Sequence, residues 1–134
     1  WSMVTSGEIQ LELDLHFIYK KQKHVVDFKS GFGSNEKGNT NRLLLVATIY
    51  KNLSENYKCL LFVRAKENNS YFNRLKNSGI WEAYSGEESY KKIFEYTGYD
   101  LKKWIDFNID WESDLLSDTS KHLKEKGLLN YLKW

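Results

Sequence analysis

The chain has 134 residues, of which 41% are hydrophobic, 28% charged and 16% aromatic, and its formal net charge is +2. This length and aromatic content exclude an intrinsically disordered chain and predict one domain, residues 1–134, with one core. No apolar run approaches the roughly 20 residues of a membrane span, and the first ten residues do not form a secretory signal, so we expect no membrane partner. The small net charge neither requires nor excludes a nucleic-acid partner.

The one cysteine, Cys59, lies within an apolar run. A single cysteine excludes an internal disulfide framework and is compatible with a reducing compartment, so we expect a cytoplasmic protein with Cys59 as an inert core residue. Neither this cysteine nor the three histidines have the spacing of zinc ligands, which argues against a structural zinc site.

The first predicted element is a half-buried strand over residues 9–19, IQLELDLHFIY, in which apolar and polar residues alternate strictly. The polar run KKQK follows as a turn, and HVVDFK is the second strand of an antiparallel hairpin. Pairing Lys20 with Lys23 places Asp14 opposite Lys29 and His16 opposite Asp27. Because a slip of one residue would mix the apolar and polar faces, the pattern favours this register and gathers the polar groups on one patch.

The rest of the chain predicts an α/β protein. Residues 40–53 read as a helix with Asn39 or Thr40 as its N-cap, and residues 57–65 read as a buried strand. Residues 80–86 are a candidate edge strand, and the remaining segments are predicted helices, two of them ended by Gly79 and Gly98. We therefore expect a mixed sheet with an antiparallel hairpin, flanking helices and a helical C-terminal half.

An Asp on one strand, then the motif DFK (Asp27, Phe28 and Lys29) on the next, then a helix and a strand, resembles the PD-(D/E)xK nuclease superfamily. The resemblance covers residues 9–65 and leaves residues 66–134 as a helical remainder. It implies a restriction-endonuclease-like fold and a Mg²⁺-dependent endodeoxyribonuclease of the type II restriction kind, which cuts DNA by direct attack of water. It also allows a homodimer in which two sites cut two strands.

The chemistry of phosphodiester hydrolysis agrees with these residue types. Mg²⁺, or Mn²⁺ as its substitute, neutralises developing charge, activates water and prefers oxygen ligands. Asp14 and Asp27 are the predicted carboxylate ligands, and Lys29 would orient or deprotonate the water and stabilise the transition state. The resemblance implies the backbone carbonyl of Phe28 as a further metal ligand.

Two departures from the family pattern stand out. Members commonly carry an acidic residue on a helix before the first core strand, and eight residues precede position 9 here. Glu8 or Glu12 would substitute for it, or the chain is a fragment whose preceding segment or domain supplied that helix. Leu13 occupies the place of the motif's proline, which family members often lack.

The loop SGFGSNEKGN follows the motif and offers hydrogen-bond donors to a DNA backbone. The predicted DNA-binding residues are Ser30, Ser34, Asn35, Lys37 and Arg42. A flexible connection is an equally supported interpretation. The loop lacks the Gly-Lys-Ser/Thr ending of a phosphate-binding loop, which argues against nucleotide binding.

Several other residues allow a structural interpretation as well as a functional one. His16 would share the acidic patch, yet a lone strand histidine is more often structural or exposed. Trp104 and Phe107 could stack bases, but their spacing of three favours the core of a helix. The alternative for the whole chain is a non-catalytic α/β module that binds nucleic acid or protein and carries Asp-x-Lys by chance. RNA or branched DNA is a third substrate class.

Overall fold

The computed structural model describes residues 12–53 and 57–129, apart from the side chains of residues 111 and 112. The strands in this part of the chain are β1 Leu15–Tyr19, β2 Gln22–Lys29, β3 Tyr57–Val63 and β4 Trp81–Ser85. The helices are α1 Lys37–Leu53, α2 Ser70–Asn77, α3 Glu87–Thr97, α4 Leu101–Asn108, α5 Trp111–Asp114 and α6 Ser117–Glu125. The predicted α/β class, with its helical C-terminal half, is confirmed.

The four strands form one mixed sheet in the order β1-β2-β3-β4. β1 pairs with β2 antiparallel, and the two remaining pairs are parallel because α1 and α2 each carry the chain back between strands. The C-terminal ends of β2, β3 and β4 consequently lie in one row, with Lys29 paired to Val63 and Val63 to Ser85. Such an edge is where α/β sheets usually bind ligands.

The middle strands are buried on both faces, which explains why β3 reads as a continuous apolar run. On one face Val25, Leu61 and Val63 pack with buried residues of α1 and α2. On the other, Val26, Leu60 and Phe62 form a smaller cluster, with Ile93 and Tyr96 of α3 packed against it. The predicted buried strand and edge strand are confirmed as β3 and β4.

The hairpin turn differs from the prediction by two residues. Lys20 and Lys21 have φ values of 49° and 65°, so the turn is these two residues and Tyr19 pairs with Gln22. The predicted pairing of Lys20 with Lys23 is therefore wrong, and Leu15 pairs with Val26 instead. A shift of two positions leaves every side chain on its face, so the apolar pattern could not distinguish the two registers.

Two predicted boundaries are also corrected. β1 begins at Leu15 and residues 12–14 are not strand, while residues 9–11 of the predicted strand lie outside the described residues. Helix α1 begins at Lys37, so Asn39 and Thr40 lie inside the helix and not at its N-cap. The helices that the glycines were predicted to end do stop there, and Gly98 adopts the left-handed conformation at the C-cap of α3.

The prediction that Trp104 and Phe107 are core residues is wrong. Phe107 is 87% exposed and Trp104 is 46% exposed, whereas Ile105 is the buried residue of α4. Cys59 is buried as predicted, and burial raises the pKa of its thiol to about 11. No helix within residues 12–53 and 57–129 has the length and apolar character needed to cross a membrane.

Candidate active site

The site is built around the C-terminal end of β2. Successive residues of a strand point to opposite faces, so Asp27 and Lys29 share the face of Val25, against which α1 packs. Asp27 is only 6% exposed, and its Oδ2 lies 3.8 Å from the Nζ of Lys29. The prediction that these two side chains share a face is confirmed, although that face is largely buried.

Asp14 lies one residue before β1, where the ladder to β2 ends. Its Oδ2 accepts a hydrogen bond of 2.6 Å from the backbone N–H of Phe28. Continuing the observed register places Asp14 opposite Asp27 and not opposite Lys29 as predicted. This is a non-hydrogen-bonded position of an antiparallel pair, where facing side chains come closest. Asp14 and Asp27 are therefore neighbours on the hairpin.

The backbone of Phe28 faces the same edge as Asp14. The N–H and C=O of a strand residue point to the same neighbouring strand, so the Phe28 carbonyl lies on the side of the Asp14 carboxylate. The carbonyl of Lys29 points the other way and accepts a hydrogen bond of 2.9 Å from Arg64 N–H. The Phe28 ring lies on the opposite face of the sheet and stacks on Phe62, with 5.7 Å between ring centroids.

The carboxyl group of Asp27 has an unusual environment. Burial raises its pKa above the ordinary value, the Lys29 and Arg42 charges lower it, and the negative charge of Asp14 raises it. Among the described residues, none donates a hydrogen bond to the buried Oδ2 atom, and Lys29 stays at ion-pair distance. A buried carboxylate oxygen is normally satisfied by donors or by a cation.

These donors fit a hard divalent cation. The carboxylates of Asp14 and Asp27 and the Phe28 carbonyl are oxygen ligands, and Mg²⁺ or Mn²⁺ needs only one or two carboxylates because it keeps several waters. Within the described residues there is no group of three or more His, Cys, Asp or Glu side chains that could hold a metal ion.

Of the two additional acids that the sequence suggested, Glu12 is the one that the structure describes. Glu12 is exposed, and the contact that ties it to the site is a backbone one, in which its carbonyl accepts a long hydrogen bond of 3.5 Å from Arg42. Glu8 lies outside the described residues. His16, which was predicted to face Asp27, pairs with Val25, and its Nε2 lies 3.2 Å from the Tyr50 hydroxyl.

The predicted DNA-binding residues follow the site along the chain. Ser30, Ser34, Asn35 and Lys37 are exposed on the segment between β2 and the first turn of α1. Arg42 is exposed one turn further on, and its charge acts on Asp27. All five thus lie within residues 30–42, which follow β2 along the chain. Arg42 is the one of them whose charge acts on Asp27.

The start of this segment is held by the connection between β3 and α2. Glu67 Oε1 accepts a hydrogen bond of 3.0 Å from the N–H of Phe32, and the Asn69 amide donates to the carbonyls of Phe32 and Gly33 at 3.3 Å each. The N–H of Ala65 also donates to the Ser30 carbonyl. Residues 30–33 are therefore fixed by tertiary hydrogen bonds, which disfavours a freely flexible connection there.

Sequence reasoning missed Arg64 and Glu67. Both follow directly after β3, at the same sheet edge as Lys29. They line a polar cleft of about 780 Å³ between the ends of β3 and β4 and the starts of α2 and α3. Charged residues just after a buried parallel strand were the available sequence sign, because that position is where α/β sheets bind ligands.

No match was found when the chain was compared with protein families, with curated proteins and with solved structures. The function of this chain is therefore inferred from its own residues and their geometry. The central features are a buried Asp27 oxygen without a donor, a second carboxylate opposite it and a lysine beside it.

Proposed function

We propose that this chain is a Mg²⁺-dependent endodeoxyribonuclease with a PD-(D/E)xK site, of the type II restriction kind. The observation that carries the proposal is the buried Oδ2 of Asp27, which accepts no hydrogen bond from the described residues although Lys29 lies 3.8 Å away. The ion pair with Lys29 offsets part of the cost of burying this oxygen and leaves its hydrogen-bonding capacity open to a ligand. Asp14 across the hairpin makes the ligand a cation, because a second carboxylate repels any anion.

Each residue has a definite part in this reaction. Asp14, Asp27 and the Phe28 carbonyl would hold Mg²⁺, which when bound neutralises phosphate charge and makes water a better nucleophile. The ammonium of Lys29 would orient the attacking water and stabilise the charge that develops on the phosphate oxygens. Arg42, whose charge acts on Asp27, would bind a neighbouring phosphate. Ser30, Ser34, Asn35 and Lys37 would contact the DNA backbone further along the strand.

The direct test is incubation of supercoiled plasmid with the purified protein in Mg²⁺, Mn²⁺ or Ca²⁺. We expect nicking or linearisation in Mg²⁺ and Mn²⁺, and loss of cutting by at least a hundredfold in Asp27→Asn, because one of two carboxylate ligands is gone. Asp118→Asn, which changes an exposed acid of α6, is the matched control and should cut normally. Discrete bands would identify a restriction-type enzyme.

Two further variants separate catalysis from folding. Asp14→Asn keeps an oxygen that can accept the Phe28 N–H while it removes the negative charge, so it should fold normally and lose activity. Lys29→Met should be inactive, whereas Lys23→Met, at the exposed start of the same strand, should be active. Normal cutting by Asp14→Asn and Lys29→Met would exclude the proposed roles.

Sedimentation with a DNA duplex would show whether two copies act together.

A non-catalytic module that binds nucleic acid or protein is the second candidate. The observation that favours it is that Asp14 already accepts the Phe28 N–H, so its carboxylate has a structural use. Calorimetry with Mn²⁺ distinguishes the two candidates. Binding by the wild type that is lost in Asp27→Asn supports the nuclease, and equal or absent binding in both supports the module.

A further inference from the structure

An apolar cleft lies on the face of the sheet opposite the Asp27 side chain. It has a volume of about 300 Å³ and opens beside the C-terminal ends of β2 and β3. This is the lower end of the size range of small-molecule sites, about 300 to 1,000 Å³. Its apolar lining includes Phe28, Phe62, Ile93, Leu101 and Ile105.

The aromatic lining has the geometry of a stacking platform. Phe28 and Phe62, which line the cleft, form with Tyr84 beside them a row of nearly parallel rings across three strands, with interplanar angles of 27° and 22°. β1 begins at Leu15, two positions short of pairing with Phe28, and Phe28 is 47% exposed. A flat ring system that enters the cleft would extend this row.

Arg64 is the charged residue whose position directly after β3 gives it the same face as Phe62, and among the described residues none of those lining the cleft is acidic. Apolar walls with a cation beside them match a nucleotide, whose flat base is attached to an anionic phosphate. The ammonium of Lys29 lies on the other face, beside Asp27. Phe28 joins the two sites, because its ring lines the cleft and its carbonyl lies on the side of Asp14, so a base in the cleft is attached to a phosphate near the cation site.

We propose that this cleft binds one unpaired base of the DNA strand, next to the phosphate that is cut. The proposal rests on the proposed function and narrows it, because a base within a duplex is paired and stacked and does not fit a protein cleft. The base must be extruded, and extrusion costs least where it is already unpaired. The preferred substrate is therefore DNA with an unpaired nucleotide at the cutting site, and fully paired DNA is cut at the added cost of extruding the base.

Binding is tested in Ca²⁺ by fluorescence anisotropy with three labelled duplexes: fully paired, with a one-nucleotide bulge, and with the same bulge lacking its base. We expect the bulge to bind about tenfold more tightly than the other two, as base–aromatic stacking predicts. Leu101→Trp, which fills the cleft, should abolish this preference, and Leu53→Trp, at the exposed end of α1, should keep it. Ile93→Phe is the second filling variant.

Equal affinity for the bulge with and without its base overturns the proposal, and so does a preference that both filling variants retain. A change in the oligomeric state of the free Leu101→Trp protein would show that a second copy covers the cleft, which also overturns it. Cleavage of the same duplexes in Mg²⁺ separates the two proposals. Equal cutting of all three duplexes would support the nuclease proposal and exclude base binding in the cleft. Binding that depends on the base, without cutting in Mg²⁺, would support base binding and exclude the nuclease proposal.

Discussion

The Asp14 carboxylate accepts the backbone N–H of Phe28 at 2.6 Å, in the place where the next residue of β1 would have continued the ladder. A side chain thus replaces a backbone partner at the end of the hairpin. Because the bond is made to the residue between Asp27 and Lys29, the position of Asp14 is fixed relative to both. The hairpin itself therefore brings Asp14, Asp27 and Lys29 together, and α1 buries the Asp27 side of it.

Asp27→Asn should stabilise the metal-free protein at neutral pH. Burial raises the pKa of Asp27 in the folded state, so its contribution to stability is present at low pH and is lost as the pH rises through that pKa. Removing the charge should increase the free energy of unfolding by about 1 kcal/mol at pH 7. Urea titrations in EDTA at pH 7 and near pH 4 measure this, and the gain should shrink at the lower pH. A variant less stable than the wild type at pH 7 contradicts the prediction.

His24 should make the protein sensitive to acid. Its ring is buried and stacked on Phe17, and burial lowers its pKa below the ordinary value of about 6.5. The neutral His24 ring therefore contributes its full stabilisation above the pKa that this residue has in the unfolded chain. That contribution is lost as the pH falls from there through the lower pKa of the folded state. His24→Phe keeps an aromatic ring in this place, so its melting temperature should fall less between pH 7 and pH 5 than that of the wild type. An identical slope in both proteins would exclude His24 as the cause.

The hairpin turn should accept better turn residues. Lys20 and Lys21 both adopt positive φ, a conformation that favours glycine and asparagine. Replacing the pair by Asn-Gly should raise the free energy of unfolding by about 1 kcal/mol, or the melting temperature by a few degrees. Differential scanning calorimetry measures the shift. A lower melting temperature would show that the lysine side chains contribute more than the backbone costs.

Glu67→Ala should loosen the segment that leaves the site. It removes the acceptor of the Phe32 N–H and should cost about 1 to 2 kcal/mol of unfolding free energy. Glu67→Gln retains an acceptor oxygen and should cost less than half of that. Plasmid cutting should fall further in Glu67→Ala than in Glu67→Gln at a temperature where both are folded. Equal activities would show that the segment does not position the DNA.

The alternation of apolar and polar residues predicted which face each hairpin side chain occupies, and it correctly put Asp27 and Lys29 together. It could not predict the register, because a slip of two residues keeps the faces and only the backbone of Lys20 and Lys21 decides. The exposed Phe107 was misplaced for a related reason. A helix with apolar residues on several sides is oriented by what it packs against, here through Ile105, and local spacing does not contain that information.

Arg64 and Glu67 show the other limit of the sequence. They lie near the end of β2 because the crossover through α1 brings the ends of β2 and β3 side by side, and more than thirty residues of chain separate them from Asp27. Short-range patterns do not include such distant neighbours. The topology of the sheet has to be known before they can be recognised as part of the same edge.

The hydrogen bonds that join Glu67 and Asn69 to Phe32 and Gly33 give the protein a mechanical property. They attach the stretch after β2 to the residues just before α2. This stretch is therefore held by the β3–α2–β4 crossover as well as by its own strand. A force applied to this stretch is therefore shared between two crossovers of the sheet. Under the proposed function, bending or twisting of a DNA strand held there would be transmitted into the parallel half of the sheet.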